Sequence, residues 1–171
     1  MATFKLIEGK TLSSAVSSVE FASIPQTYTD LKLILSVRDT YADTRTNFNL
    51  TINSNSTSYS WYGMYGYGST SGSNSGSGSG YRIYGNSIAD NNTANLFSNA
   101  EIYFTDYTST TKRKPAYCYS VVENNGTSNF TEIDSTIFNN TGAITNIVIT
   151  NSGSSNFKVN STFYLYGIKN S

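Results

Sequence analysis

Short stretches in which apolar residues recur at every second position run through this chain, and they set the first expectation. In residues 31–39 (LKLILSVRD), Leu31, Leu33, Leu35 and Val37 share one face, while Lys32, Ser36 and Arg38 share the other with Ile34. A period of two marks a strand with one face against a core. Phe48, Leu50 and Ile52 alternate with Asn49, Thr51 and Asn53 in the same way. Further strands are expected at 18–24 on Val19 and Phe21, and at 100–107 on Ile102 and Phe104. Three more are expected: 116–123 with Tyr117, Tyr119 and Val121 as the apolar row, 144–150 on Ile147 and Ile149, and 161–168 on Phe163 and Leu165. No stretch keeps a helical period, although 135–140 (STIFNN) has room for one short turn near Ile137.

Strands of this length separated by Asn, Gly, Ser and Thr clusters predict an all-β chain. Asn125-Gly126 and Gly153 supply turn chemistry between strands. The expected fold is an antiparallel two-sheet β-sandwich, jelly-roll-like, forming one domain over residues 1–171, with the terminal strands near the sheet centre. Residues 59–85 (YSWYGMYGYGSTSGSNSGSGSGYRIYG) interrupt the pattern. A linker would join two separately folded halves, yet neither half holds enough strands for a closed core. The run from Gly68 to Gly80 is therefore expected to be a flexible Gly/Ser loop inside the domain, spanning about 20 Å on average. It has no lysine to act as a phosphate-binding loop.

Composition narrows the function class. Only 13% of residues are charged, and Ser, Thr, Asn, Gly and 14 Tyr fill the gap, which suits extracellular or particle-bound β proteins better than a helical cytosolic enzyme. Eleven basic and eleven acidic residues cancel, so no field draws nucleic acid or an anionic membrane. The one basic cluster, Lys112 to Lys114, is expected on a solvated turn before Pro115. Histidine is absent, which removes Ser-His-Asp and Cys-His catalysis and imidazole metal sites. The lone Cys118 lies between aromatic and β-branched neighbours and reads as a small buried hydrophobe. The acids are scattered, so a two-carboxylate glycosidase is a distant third reading. The first residues, MATFKLIEGKTLSS, carry charges and lack the apolar core of a signal peptide, so synthesis in a host cytoplasm is expected. The seven Asn-x-Ser/Thr sequences are then compositional rather than glycosylated.

Two groups of aromatics are candidate contact residues. Trp61, Tyr62, Tyr65 and Tyr67 precede the Gly/Ser run, and three uses compete for them: core packing, a subunit interface, or a platform for sugar rings. In residues 163–169 (FYLYGIK), Phe163 and Leu165 enter the core, and Tyr164 and Tyr166 cover the opposite face as subunit-interface candidates. Pro25 ends strand pairing after Ile24, and Gly167 lets a neighbour approach closely.

Three segments, 21–40 (FASIPQTYTDLKLILSVRDT), 96–117 (LFSNAEIYFTDYTSTTKRKPAY) and 144–171 (ITNIVITNSGSSNFKVNSTFYLYGIKNS), resemble small virion proteins of tailed bacteriophages, especially marine ones. The resemblance covers nearly all of 19–171 apart from the Gly/Ser stretch. It implies a non-enzymatic structural protein on the virion exterior: a capsid decoration, cement, tail or fibre-head subunit that docks to the major capsid or tail protein. Homo-oligomers, trimers by analogy with jelly rolls on particles, are the expected state. It carries over no catalytic residue, and no cofactor, metal, nucleic acid or membrane insertion is expected. The alternative is a lectin-like receptor-binding module for host attachment, holding a surface glycan on Trp61, Tyr62, Tyr65 and Tyr67.

Overall fold

The alternating leucines of 31–37 are all buried, and they lie near the middle of a large sheet. In the computed structural model residues 3–55, 58–78, 85–123, 129–152 and 154–170 are described. Among them are β1 (Thr3–Thr11), β2 (Ser18–Phe21), β3 (Asp30–Val37), β4 (Arg45–Ile52), β5 (Tyr59–Tyr67) and β6 (Thr70–Gly78). They continue with β7 (Gly85–Ile88), β8 (Ser98–Phe104), β9 (Lys114–Val122), β10 (Phe130–Phe138), β11 (Ile147–Asn151) and β12 (Thr162–Lys169), and no helix is present among the described residues.

The strands form an eight-stranded sheet in the order β1-β12-β3-β8-β9-β10-β5-β6 and a four-stranded sheet in the order β2-β11-β4-β7. Every pairing between strands is antiparallel. Within them lies a jelly-roll-like framework: β1-β12-β3-β8 faces β2-β11-β4-β7, and successive framework strands mostly cross between the sheets. Two hairpins are inserted into it, β5–β6 between β4 and β7 and β9–β10 between β8 and β11. They join through β5 and β10 and widen the first sheet by four strands.

The main core lies between the sheets on Leu31, Leu33, Leu35, Phe48, Leu50, Ile102, Phe104, Ile147, Phe157, Phe163 and Leu165, among others. A smaller cluster of Ile88, Val122 and Phe130 sits beneath the inserted hairpins. The sandwich expectation holds, with the last strand inside its sheet and the first at its edge rather than both near the centre. That edge carries Lys5, Glu8 and Lys10 and a register shift between Leu6 and Glu8, features that discourage further strand addition.

The flexible loop expected over 68–80 is replaced by a turn at Gly68-Ser69 and the strand β6; residues 79 and 80 lie outside the described part. The reason is that the Gly/Ser run itself has a period of two. Gly72 and Gly76 pair with Tyr65 and Trp61, and each aromatic ring lies over its glycine where a Cβ would collide with it. The serines between them face outward. Aromatic rings laid over cross-strand glycines restore the side-chain packing that glycine alone cannot provide. Asn125-Gly126 and Gly153 also lie outside the described residues.

Other expectations are corrected by burial. β10 runs straight through 135–138, so no helical turn forms there. In β9 the buried residues are Ala116, Cys118, Ser120 and Val122, and Tyr117 and Tyr119 point outward. Small side chains fit the space between the sheets at this point, and the tyrosines do not. Lys112 and Arg113 are exposed, but Lys114 is fully buried. Its ammonium donates to the carbonyls of Ser109 (2.6 Å), Lys112 (2.6 Å) and Thr141 (2.9 Å), so the buried cation is fully hydrogen-bonded. Arg38, 5% exposed, likewise donates to the carbonyls of Asp90, Asn92, Thr93 and Leu96 and gathers the segment before β8.

The glycine pattern gives a direct test. Gly76→Val should lower unfolding free energy by about 1–3 kcal/mol through overpacking against Trp61. Ser75→Val, one residue away on the outer face, should change it by no more than about 0.5 kcal/mol. Denaturant titration of the two variants distinguishes this strand from a tolerant loop, in which both would be neutral.

Candidate functional site

The inserted hairpins create two surfaces, one on each side of β9, β10 and β5, and the parity of β10 decides what each displays. Phe130 and Phe138, at its two ends, are both buried inward. Side chains alternate, so Glu132, Asp134 and Thr136 must also face inward, and Ile133, Ser135 and Ile137 must face out. The strand is thus inverted in its middle, with carboxylates inside and isoleucines outside.

On the outer side the registers align two rows across the sheet. One runs Tyr166, Lys32, Tyr103, Tyr117, Ser135, Tyr62, Ser75; the next runs Tyr164, Ile34, Glu101, Tyr119, Ile133, Met64, Ser73. Tyr62, Met64, Tyr117, Tyr119, Ile133 and Ile137 are each between 42% and 57% exposed. No charged residue interrupts this patch on β9, β10 or β5, where the remaining outward positions are Ser60, Gly66, Pro115, Val121, Thr131 and Ser135. A Lys32–Glu101 ion pair (2.8 Å) separates it from Tyr164 and Tyr166, which are half-buried on the same face. Tyr103 and Tyr117 stack at 5.5 Å with ring planes 5° apart, and Tyr103 donates its hydroxyl to Asp30 (2.8 Å). Desolvation, then the bond to Asp30, pushes the Tyr103 hydroxyl up to about 12.

On the inner side Glu132, 2% exposed, accepts from Asn74 Nδ2 at 2.9 Å on one carboxylate oxygen and from Asn86 Nδ2 at 3.0 Å on the other. Asn86 Oδ1 in turn accepts from Arg45 Nη1 at 2.9 Å. The Arg45 guanidinium lies 3.9 Å from the centre of the Phe130 ring and 5.7 Å from that of Tyr67. Tyr65 stacks on Phe130 at 5.9 Å, nearly parallel. These groups border a cavity of about 230 Å³ lined by Arg45, Asn47, Tyr65, Asn74, Phe130 and Glu132. A second hollow of about 510 Å³ shares Arg45 and Asn47 and adds Tyr41, Asp43 and Tyr67. Burial raises the Glu132 carboxyl above its ordinary value, against the lowering effect of its two amide donors and Arg45. Burial, reinforced by Asp134 and Glu132, raises the Cys118 thiol far enough to leave it un-ionised and unreactive.

The four aromatics expected to act together are therefore divided. Trp61 packs against the main core, Tyr65 and Tyr67 flank Arg45 and Phe130, and Tyr62 stands on the outer face. Sequence reading missed Glu132, Asn74, Asn86 and Arg45 inside and Met64, Ile133 and Ile137 outside. The spacing of Phe130 and Phe138, eight residues apart with acids at even positions between them, was the available signal. Among the described residues no group of three or more His, Cys, Asp or Glu is placed to hold a metal ion. The chain matches no family model, no curated protein and no solved structure.

Glu132 makes stability depend on pH with a defined sign. Its native carboxyl binds a proton at higher pH than the unfolded chain, so its contribution is present below the ordinary glutamate value, 4.5, and is lost as pH rises through the elevated native value. Glu132→Gln removes this term. Denaturation across this range should therefore show a shallower decline with rising pH for the variant than for the natural protein, while parallel curves would show that the site does not titrate in this way.

Proposed function

We propose that this chain is a non-enzymatic structural subunit on the exterior of a tailed-phage particle, a decoration, cement or fibre-head protein that works by association. The observation that carries this reading is the uncharged patch of Tyr62, Met64, Tyr117, Tyr119, Ile133 and Ile137 on one sheet face. Scattered exposed apolar residues are ordinary, but six on three adjacent strands form a surface whose hydration is costly. The strand texts of 21–40, 96–117 and 144–171, with their resemblance to virion proteins, support the setting.

A second copy of the chain is the occupant that fits. The chain has no formal net charge and the patch has no charged side chain, so like copies meet without electrostatic penalty. Tyrosine and methionine are favoured in buried interface centres, where they supply large contact area. Tyr164 and Tyr166 extend the same rows beyond the Lys32–Glu101 pair and add area on one continuous face. Closed symmetry then limits growth, with three copies the state expected by analogy with jelly rolls standing on particles.

Light scattering after size exclusion tests this. The natural protein should elute as a closed oligomer, and Ile133→Glu and Tyr119→Lys should each yield monomers whose unfolding free energy stays within about 0.5 kcal/mol of the parent. Purified particles should carry the subunit in a copy number set by their symmetry. A natural protein that is monomeric at every concentration, or oligomers indifferent to both substitutions, would reject the face as the contact.

A further inference from the structure

Beyond the association face, and independently of it, we infer that the inner cavity bordered by β4, β5, β6 and β10 is a binding site for a neutral oligosaccharide. Its lining is Arg45, Asn47, Tyr65, Asn74, Phe130 and Glu132, and Tyr67 stands at the adjoining hollow.

The chemistry of the lining selects the ligand class. Glu132 holds one amide donor on each carboxylate oxygen, and each oxygen retains lone-pair capacity for a ligand hydroxyl. Asn47 offers an amide donor and acceptor, and Arg45 has further N–H groups beyond the one given to Asn86. A sugar hydroxyl donates and accepts at once, so it can use both kinds of group. A metal cation would meet the Arg45 guanidinium, and a phosphate or carboxylate would meet Glu132, so the site opposes both ions. The half-buried Tyr65 and the exposed Tyr67 give the apolar surface on which the C–H face of a sugar ring packs, and Phe130 backs them with its own face taken by Arg45.

The size and layout agree. Hollows of about 230 and 510 Å³ share Arg45 and Asn47, so a ligand of more than one ring can pass from one to the other along those two side chains. The polar network has a further mark of a site rather than a brace. Replacing Glu132, Asn74 and Asn86 with apolar residues would fill the space beside Ile88, Val122 and Phe130, and a buried polar network that leaves Asn74 Oδ1 without a hydrogen-bond partner is seldom better than such packing for stability alone. The residues differ from a simple aromatic platform on β5, since Trp61 is committed to the core and Tyr62 lies on the opposite side of the sheet.

The test is a titration of ¹⁵N-labelled full-length protein with methyl glycosides of glucose, galactose, mannose and N-acetylglucosamine, and with maltotriose and cellotriose. Calcium chloride and sodium phosphate serve as ionic probes. At least one saccharide should move the side-chain amide signals of Asn74 and Asn86 saturably. Asn74→Ala and the surface variant Tyr67→Ala should each weaken that binding about tenfold, the loss of one ligand contact. Tyr62→Ala, on the far face, should leave it unchanged, and the oligomeric state of the pocket variants should match the parent. No response to any of the six saccharides, binding that survives both pocket substitutions, or a stronger response at these amides to calcium or phosphate would each overturn the assignment. Oligomer size measured on the same samples keeps that outcome separate from failure of the association reading.

Discussion

The structure turns on the parity of one strand. β10 is hydrogen-bonded along nine residues to β9 on one side and along nine to β5 on the other, so it cannot slip by one residue without breaking both ladders. Phe130 and Phe138 determine which way it faces. Each stabilises by roughly 1.5–3 kcal/mol when buried, a gain that two isoleucines would match in a flipped strand, so the specific contacts of the two rings decide between the orientations. Phe138 packs on Tyr59 at 5.0 Å, and Phe130 takes the Arg45 guanidinium on its face. The flipped arrangement would lose these contacts. Burying Glu132 and exposing Ile133 and Ile137 are consequences of where the two phenylalanines must go.

The inserted hairpins are held partly by the main core, which takes Tyr59, Ala116, Cys118 and Phe138, and partly by local packing. A jelly-roll-like framework of eight strands already encloses the leucine-rich core, and β9 is the strand through which the insertions attach to it. β6 contributes little side-chain area, yet it is held by nine register pairs with β5 and by rings folded across its glycines. Buried cations fasten the framework's own loops. Lys114 ties the segment between β8 and β9 to Thr141, and Arg38 ties the segment between β7 and β8 to the end of β3. Each directs its N–H groups to backbone carbonyls, which is how a buried cation is tolerated here.

Much of the framework was legible because its strands obey the simple rule. β3, β4, β11 and β12 put their aliphatic residues inward, as the alternation in Leu31 to Val37, Phe48 to Ile52, Ile147 with Ile149, and Phe163 with Leu165 predicted. Tyr164 and Tyr166 face out for the same reason. The insertions were not legible because they break that rule three times over. Glycine and serine read as coil when composition is weighed, and only their alternation against Trp61 and Tyr65 reveals a strand. In β9 the bulky residues are outside and the small ones inside, and in β10 the polar ones are inside. Hydrophobic periodicity identified β9 but reversed its faces, and it identified no strand at β6, read as a loop, or at β10, where only a short helical turn was expected. The site followed the same fate, since Glu132 and Asn74 are distant in sequence and meet only through the β5 pairings on either side.

The departures from the rule occur together, and this is the strongest physical reason to seek function there. Natural sequences keep local preference and global fold in agreement, and the places where they disagree are enriched in sites that perform work. In this chain the disagreement is concentrated in β6, β9 and β10. One side spends apolar surface on solvent, and the other holds a carboxylate whose burial opposes its ionisation. Neither choice closes the main core, to which the inserted strands contribute only Tyr59, Ala116, Cys118 and Phe138, with Trp61 packed against it. The two surfaces are separated by the thickness of a single sheet, so a sister copy covering Tyr119 and Ile133 leaves Glu132, Asn74 and Arg45 unobstructed on the opposite side. The proposed association through the outer face would therefore not block the inner hollow, and the two proposals can hold together or fail separately.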